Sequence, residues 1–268
     1  MAIRRIIPKT KLRYFYQSLT GSEFNPVHRQ VNICDNLILY PDCLVRLYVD
    51  ACNDFGRYSN VGEPFVPEED KRKPLKQTKR VVKTENLLAR FEIQGGLKVV
   101  KNSALDFEYI EREVSPLRTT KTIFETGIRG TRSGVGGLDF IGINKKNNPV
   151  LGEVKIRDDK NAFYAFIQLL TYYSELFTKN QIKRINSCSL FGERKIKSPC
   201  NLYIVLYKHN LKSATHQLIE KTKELAEKFK ELLKTKENLS SFQRVGYIAC
   251  LETIIGEREV SFKEIWKV

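Results

Sequence analysis

Asp139, Glu153 and Lys155 are the residues of this chain whose types and spacing could do chemistry. Glu153 and Lys155 flank Val154 in an apolar run. Side chains alternate faces along a strand, so the two charges share one side while Val154 enters the opposite layer. Asp139 stands fourteen residues before Glu153 in a second apolar run, Leu138-Asp139-Phe140-Ile141-Gly142-Ile143. With the two runs paired antiparallel, Asp139 lies beside Glu153, and two carboxylates and an ammonium meet at one end of a hairpin. Burying such a pair of carboxylates is costly unless a cation binds between them. Mg²⁺, held through one or two carboxylates, waters and substrate phosphate oxygens, suits that position, with Mn²⁺ as a substitute. Hydrolysis of a phosphodiester needs an activated water, stabilisation of charge on phosphorus and help for the departing oxygen, and metal ions supply all three. Lys155 would position or help deprotonate the water, or neutralise charge in the transition state.

The elements that must position these residues follow from the flanking sequence. Val150 to Ile156 comes after Asn147-Asn148-Pro149, a turn signal, which predicts a hairpin with the Asp139 strand. Asn161 to Phe177 is apolar almost all round and predicts a helix buried between layers. Gln168 and Tyr172 share a face of that helix with Ala165, opposite Phe163, Phe166, Ile167 and Leu170. Before the hairpin, residues 31 to 40 predict a strand, and Pro41-Asp42 starts a helix that Gly56 can cap. Gly62 to Lys76, with three prolines and adjacent acidic and basic runs, predicts a linker. A helix over Val82 to Ile93 should end at Gly95-Gly96, and a strand is expected at Phe107 to Glu111. Leu202 to Tyr207 and Val245 to Ile255 are further strands, with an amphipathic helix between them whose mixture of Lys and Glu reads as a solvated face. The order from residue 82 predicts a mixed α/β domain with a central sheet.

Composition narrows the function classes. The chain has 268 residues, enough for a substantial core, and no apolar run long enough to span a membrane. The start, Met1 to Lys9, lacks a continuous apolar h-region, so no secretory signal is expected and the chain is placed in the cytoplasm. The net charge is +15, and it is unevenly spread. Residues 1–70 carry eight basic and nine acidic side chains, and the remaining 38 basic against 22 acidic residues leave +16 on the later region. Nucleic acid is the commonest partner for such an asymmetry. The six cysteines include no C-x-x-C pair and the three histidines fall at no zinc spacing, so reduced structural thiols are expected.

Gly137-Leu138-Asp139-Phe140-Ile141, followed after a turn by Gly152-Glu153-Val154-Lys155, resembles the PD-(D/E)xK nuclease superfamily, with Asp139 as its aspartate and Glu153-Val154-Lys155 as its E-x-K. Gln168-Leu169-Leu170-Thr171-Tyr172 is similar to the Q-x-x-x-Y element of RecB-type nucleases. The likeness spans roughly residues 82 to 208, and Leu138 stands where the family often has proline. The resemblance implies a restriction endonuclease-like α/β core, with a central mixed sheet flanked by helices. It further implies Mg²⁺ held by Asp139, Glu153 and the Val154 carbonyl, and phosphodiester hydrolysis. A glutamate from the helix before the first strand often joins such sites; Glu85 is the candidate here, with Glu92 and Glu125 as rivals.

These readings give two parts: residues 1–80, a smaller N-terminal recognition or accessory domain with its linker, and residues 81–268, the nuclease-like domain. Arg129 and Arg132, in the glycine-rich segment before Asp139, and Lys179, Lys183, Arg184 and Lys195, in the connection before Leu202, are candidate phosphate contacts. The expected function is a metal-dependent deoxyribonuclease, with endonuclease preferred. The expected partners are DNA, no membrane, and a second copy or another protein on the N-terminal part. The competing function is a non-catalytic nucleic-acid-binding or scaffold protein of the same fold. The competing structural readings are a solvated edge pair at Glu153 and Lys155, and a core-filling role for Gln168 and Tyr172.

Overall fold

Among the described residues, seven strands arise from runs rich in apolar and β-branched residues, and they form one continuous ring. A computed structural model describes residues 10–19, 26–56, 79–114, 138–156, 161–187, 190–207, 214–257 and 259–268. The strands are β1 (Gly96–Val100), β2 (Phe107–Val114), β3 (Leu138–Asn144), β4 (Pro149–Ile156), β5 (Cys200–Tyr207), β6 (Val245–Ile255) and β7 (Val260–Lys267). β1 to β4 pair antiparallel in succession, β4, β5 and β6 pair parallel, and β6 and β7 pair antiparallel. β1 and β7 then pair in parallel through Lys98–Val100 and Ser261–Lys263, which closes the ring.

This closure corrects the expected fold. The central sheet is a closed seven-stranded mixed barrel, not the open sheet of a restriction endonuclease-like core. Strand twist carries the sheet round until its edges meet, and aromatic side chains fill the interior. Phe107 stacks on Phe140 with ring centroids 5.5 Å apart and on Phe262 at 5.8 Å, and Tyr203 meets Phe107 edge-on. Helix α4 (Lys79–Gln94) adds Phe91 edge-on to Phe140 and Phe262, with Leu87 and Leu88 in the same cluster. Gly95, at φ +69°, ends α4 in the left-handed conformation that glycine adopts freely. The Gln94 side chain then holds both the N–H and the C=O of Val260 on β7.

The remaining helices cover the outer face. They are α1 (Lys11–Ser18), α2 (Pro26–Leu39), α3 (Pro41–Gly56), α5 (Ala162–Leu176), α6 (Lys179–Ser187) and α7 (Ala214–Lys234). All fifteen residues of α5 are buried, as its apolar circumference predicts. It lies between β4 and a layer made by α1, α3 and α7, in which Tyr48 stacks on Tyr173 at 5.8 Å and meets Phe229 edge-on. Residues of α1 to α3 share this hydrophobic core with β3 to β6.

Two further local expectations are revised. Residues 31 to 40 lie mostly in helix α2, not in a strand: Pro26 starts the helix, and Cys34, Leu37 and Ile38 recur at helical spacing on its buried side. The connection before Leu202 contains α6. The expected linker, and the domain boundary near residue 80 that it adjoins, fall largely on residues 57–78, outside the described ones.

Candidate functional site

β4 is buried along its whole length and sorts its side chains by alternation. Val150, Val154 and Ile156 enter the aromatic interior, whereas Leu151 joins the core beneath the outer helices. Glu153 and Lys155 therefore point outward with Leu151, under α5. They are 2% and 3% exposed, which excludes a solvated edge pair. Lys155 Nζ donates to Glu153 Oε1 at 2.5 Å and to Gln168 Oε1 on α5 at 2.9 Å, and it stands 5.2 Å from the centroid of the Tyr164 ring.

Asp139 meets this cluster at a fork. The β3–β4 ladder runs from Ile143 and Pro149 to Phe140 and Gly152, and stops one step before Asp139 and Glu153. There the half-buried Asp139 accepts the backbone N–H of Val154 on Oδ2 at 2.7 Å, so a carboxylate takes the place of a ladder partner. The same step leaves Asp139 beside Glu153. Gly152 permits the fork to be this tight, because a Cβ at that position would lie 1.8 Å from Cζ of Phe140.

Two polar groups not anticipated from the sequence join from α1. Arg13, 2% exposed, donates from Nε to Glu175 Oε1 at 2.8 Å and from Nη2 to Glu175 Oε2, and its guanidinium lies over the Tyr172 ring at 5.2 Å. Burial by itself lowers the Arg13 pKa, but attraction and hydrogen bonding from Glu175 outweigh it, and the net shift is upward. Tyr164 donates its hydroxyl to Tyr16 at 2.9 Å. Burial, with Tyr172, Tyr164 and Glu153 nearby, pushes the Tyr16 phenol above its ordinary value, so it keeps its proton. Tyr172 is likewise raised, chiefly by burial. Glu175, the one charged residue on a fully buried helix, was the signal that a buried cation had to meet it.

The other expected residues are placed as follows. Gln168 reaches the cluster directly, and Tyr172, beneath the Arg13 guanidinium, lies close enough to Glu153 for that carboxylate to contribute to its raised pKa. Glu85 is half-buried on α4, which packs on the interior face of β4, so it starts from the side opposite Glu153. Glu92 is exposed on the same helix. Lys179, Lys183 and Lys195 are exposed, as phosphate contacts must be. Arg184 is not: it is 3% exposed and donates to Gln181 Oε1 from within α6. Arg129, Arg132 and Glu125 lie outside the described residues.

The donor set can be matched to a cation. Among the described residues no three of His, Cys, Asp and Glu converge on one point. The two carboxylates of Asp139 and Glu153 on adjacent strands, with the Val154 carbonyl between, are hard oxygen donors. Mg²⁺ takes such a set when waters and phosphate oxygens complete its shell, so the residues fit the ion. No helix among the described residues is long and apolar enough to cross a membrane. Compared with known protein families, with characterised proteins and with solved structures, the chain matches none.

Proposed function

We propose that this chain is a Mg²⁺-dependent nuclease, cutting DNA internally, with Asp139, Glu153 and Lys155 as its centre. The observation that carries this reading is the convergence, at the fork between β3 and β4, of a half-exposed carboxylate with a buried Glu–Lys–Gln cluster drawn from three separate segments. A buried cluster of this kind contributes little to stability compared with apolar packing, so its presence argues for a chemical role. The net charge of +15 supports a polyanionic substrate.

Asp139 and Glu153 would hold the ion together with the Val154 carbonyl. When bound, Mg²⁺ supplies Lewis-acid stabilisation of the scissile phosphate and lowers the pKa of a bound water. Gln168 fixes the Lys155 ammonium, which lets Lys155 aim a donor at charge growing on phosphorus or at the attacking water. Asp139 is the member of the set that solvent reaches, so substrate enters from its side. Arg13 and Glu175 hold α1 against α5 and thereby keep Tyr16 hydrogen-bonded to Tyr164, whose ring lies beside Lys155.

The test is incubation with covalently closed circular DNA and with linear DNA, each with Mg²⁺ and with a chelator, using wild type and Glu153→Gln. Metal-dependent loss of the closed circle that Glu153→Gln abolishes is the expected result. Loss of linear DNA alone would make the enzyme an exonuclease, and full activity in folded Glu153→Gln would overturn the assignment.

A further inference from the structure

The turn end of the β3–β4 hairpin, away from Glu153 and Lys155, opens onto a cleft of about 760 Å³. It is walled by the β3–β4 turn, the segment ahead of β5, the start of β6 and α7. Lys145, Lys146, Lys197 and Lys230 line it. A second cavity of about 340 Å³ shares Ser198, Pro199, Lys230 and Val245 with it and continues to Lys234 and Arg244. The one carboxylate in the lining, Asp106, is already engaged by the Val99 N–H at 2.8 Å and by Lys98 at 3.6 Å. None of the four lining lysines has a carboxylate partner among the described residues.

Packing keeps these charges together. Tyr247, in the cleft wall, has the ammonium groups of Lys230 and Lys267 at 5.8 Å and 5.1 Å from its ring centroid. Burial, and repulsion from Lys234 and Lys267, push Lys230 below the ordinary lysine value. Asn201 is 2% exposed in the same wall; its Oδ1 accepts the Tyr247 N–H at 2.8 Å, and its Nδ2 has no hydrogen-bond partner among the described residues. Gly246 makes room for that amide, since a Cβ there would come within 2.4 Å of Asn201 Oδ1. Like charges and a spare donor are thus gathered around a space in which the one carboxylate among the described lining residues, Asp106, is already engaged elsewhere.

We propose that this cleft binds phosphate groups, those of a nucleic-acid backbone or of a free nucleotide. Ammonium groups are the point charges that phosphate oxygens accept bonds from, and the volume falls within the range of ligand sites. The cleft is separate from the centre at Glu153. Asn148, in the cleft lining, stands five residues before Glu153, and at about 3.3 Å per residue the two sites lie about 17 Å apart along the strand. The proposal does not rest on catalysis at Glu153.

The test uses full-length protein in chelator, so that no cleavage intervenes, with a short fluorescein-labelled DNA duplex and with inorganic tripolyphosphate. The variant is Lys146→Gln/Lys230→Gln; the control, Lys223→Gln/Lys263→Gln, removes equal charge outside the lining. Circular dichroism and urea unfolding verify that both fold. Duplex binding should weaken about tenfold in the variant, with the slope of log K against log salt lower by about two, and should change little in the control. Loss of both ligands in the variant supports a general phosphate site. Loss of the duplex alone makes the ligand nucleic acid, and loss of tripolyphosphate alone makes it a free phosphorylated compound. Equal binding of both ligands by variant and control overturns the proposal, whatever the nuclease assay shows.

Discussion

The ring of Phe140 occupies the space in which a side chain on Gly152 would stand: an added Cβ would lie 1.8 Å from Cζ and 2.0 Å from Cε1. The ring cannot step aside, because it is stacked on Phe107 and packed edge-on against Phe91 inside the barrel. Gly152→Ala must therefore either displace that aromatic stack or push β4 away from β3 at the fork that holds Asp139. Overpacking of this kind costs about 3 kcal/mol. Urea unfolding should show that loss, and Gly152→Ala/Phe140→Leu, which clears the space, should recover part of it. A Gly152→Ala protein as stable as wild type would mean that the ring is not held where the structure puts it.

Asp139 separates charge from hydrogen bonding. Its Oδ2 accepts the Val154 N–H at 2.7 Å. Asparagine can accept the same bond through its carbonyl, so Asp139→Asn should leave stability within about 0.5 kcal/mol of wild type, the scatter of ordinary substitutions. Asp139→Ala leaves the Val154 N–H without its partner and should cost about 1–3 kcal/mol. Under the proposed function both variants lose metal-dependent cleavage, because both lose the anionic donor. Retained cleavage by Asp139→Asn would remove Asp139 from the metal set while leaving its structural role intact.

The hairpin that carries the site was readable because its signals are local. Asn147 adopts a left-handed φ of 62°, and the Asn144 side chain accepts the N–H groups of Lys146 and Asn148, so the turn chemistry is written in adjacent residues. Helix α5 was readable for a similar reason, since helical periodicity fixes which residues share a face, whereas the Gln168 contact with Lys155 depends on how that helix packs on β4. Closure of the barrel was not readable. β1 and β7 meet through three residue pairs some 163 positions apart, and nothing near Lys98 announces Ser261. The strand expected at 31 to 40 failed because an apolar run of that length suits either element, and packing of Cys34, Leu37 and Ile38 beneath α7 decided it. Lys230, read as part of a solvated face, gained its meaning only when α7 set it opposite the β3–β4 turn, with Lys234 in the adjoining cavity.

The Arg13–Glu175 pair joins α1 to α5 with both partners almost fully buried. Arg13→Met removes the cation and leaves a buried carboxylate without compensation, for which a loss of about 3–5 kcal/mol is expected. Replacing both residues, Arg13→Met/Glu175→Leu, removes the stranded charge and should restore most of the stability. Chemical denaturation of the two singles and the double gives the coupling directly. A fully additive cycle would show that the pair does not hold α1 in place.

Burial governs the thiols in the same way. Cys34 and Cys52 are pushed up to about 12 by burial, beside Asp35 in the case of Cys34. At pH 8 such a thiol is ionised to about one part in ten thousand, and the thiolate is the reactive form. Cys200 and Cys250 are also buried and raised, whereas Cys43 is half-buried, with the Arg46 guanidinium 3.6 Å from its sulfur. Iodoacetamide at pH 8 should therefore label Cys43 in the folded protein and leave Cys34, Cys52, Cys200 and Cys250 unmodified until urea is added. Raising the pH by one unit should accelerate labelling of Cys34 and Cys52 about tenfold from a negligible base, since both remain far below their midpoints. Peptide mapping by mass spectrometry reads each site separately. Labelling of Cys52 at the rate of Cys43 would show that α3 opens readily, and would detach it from the core in which Tyr48 stacks on Tyr173.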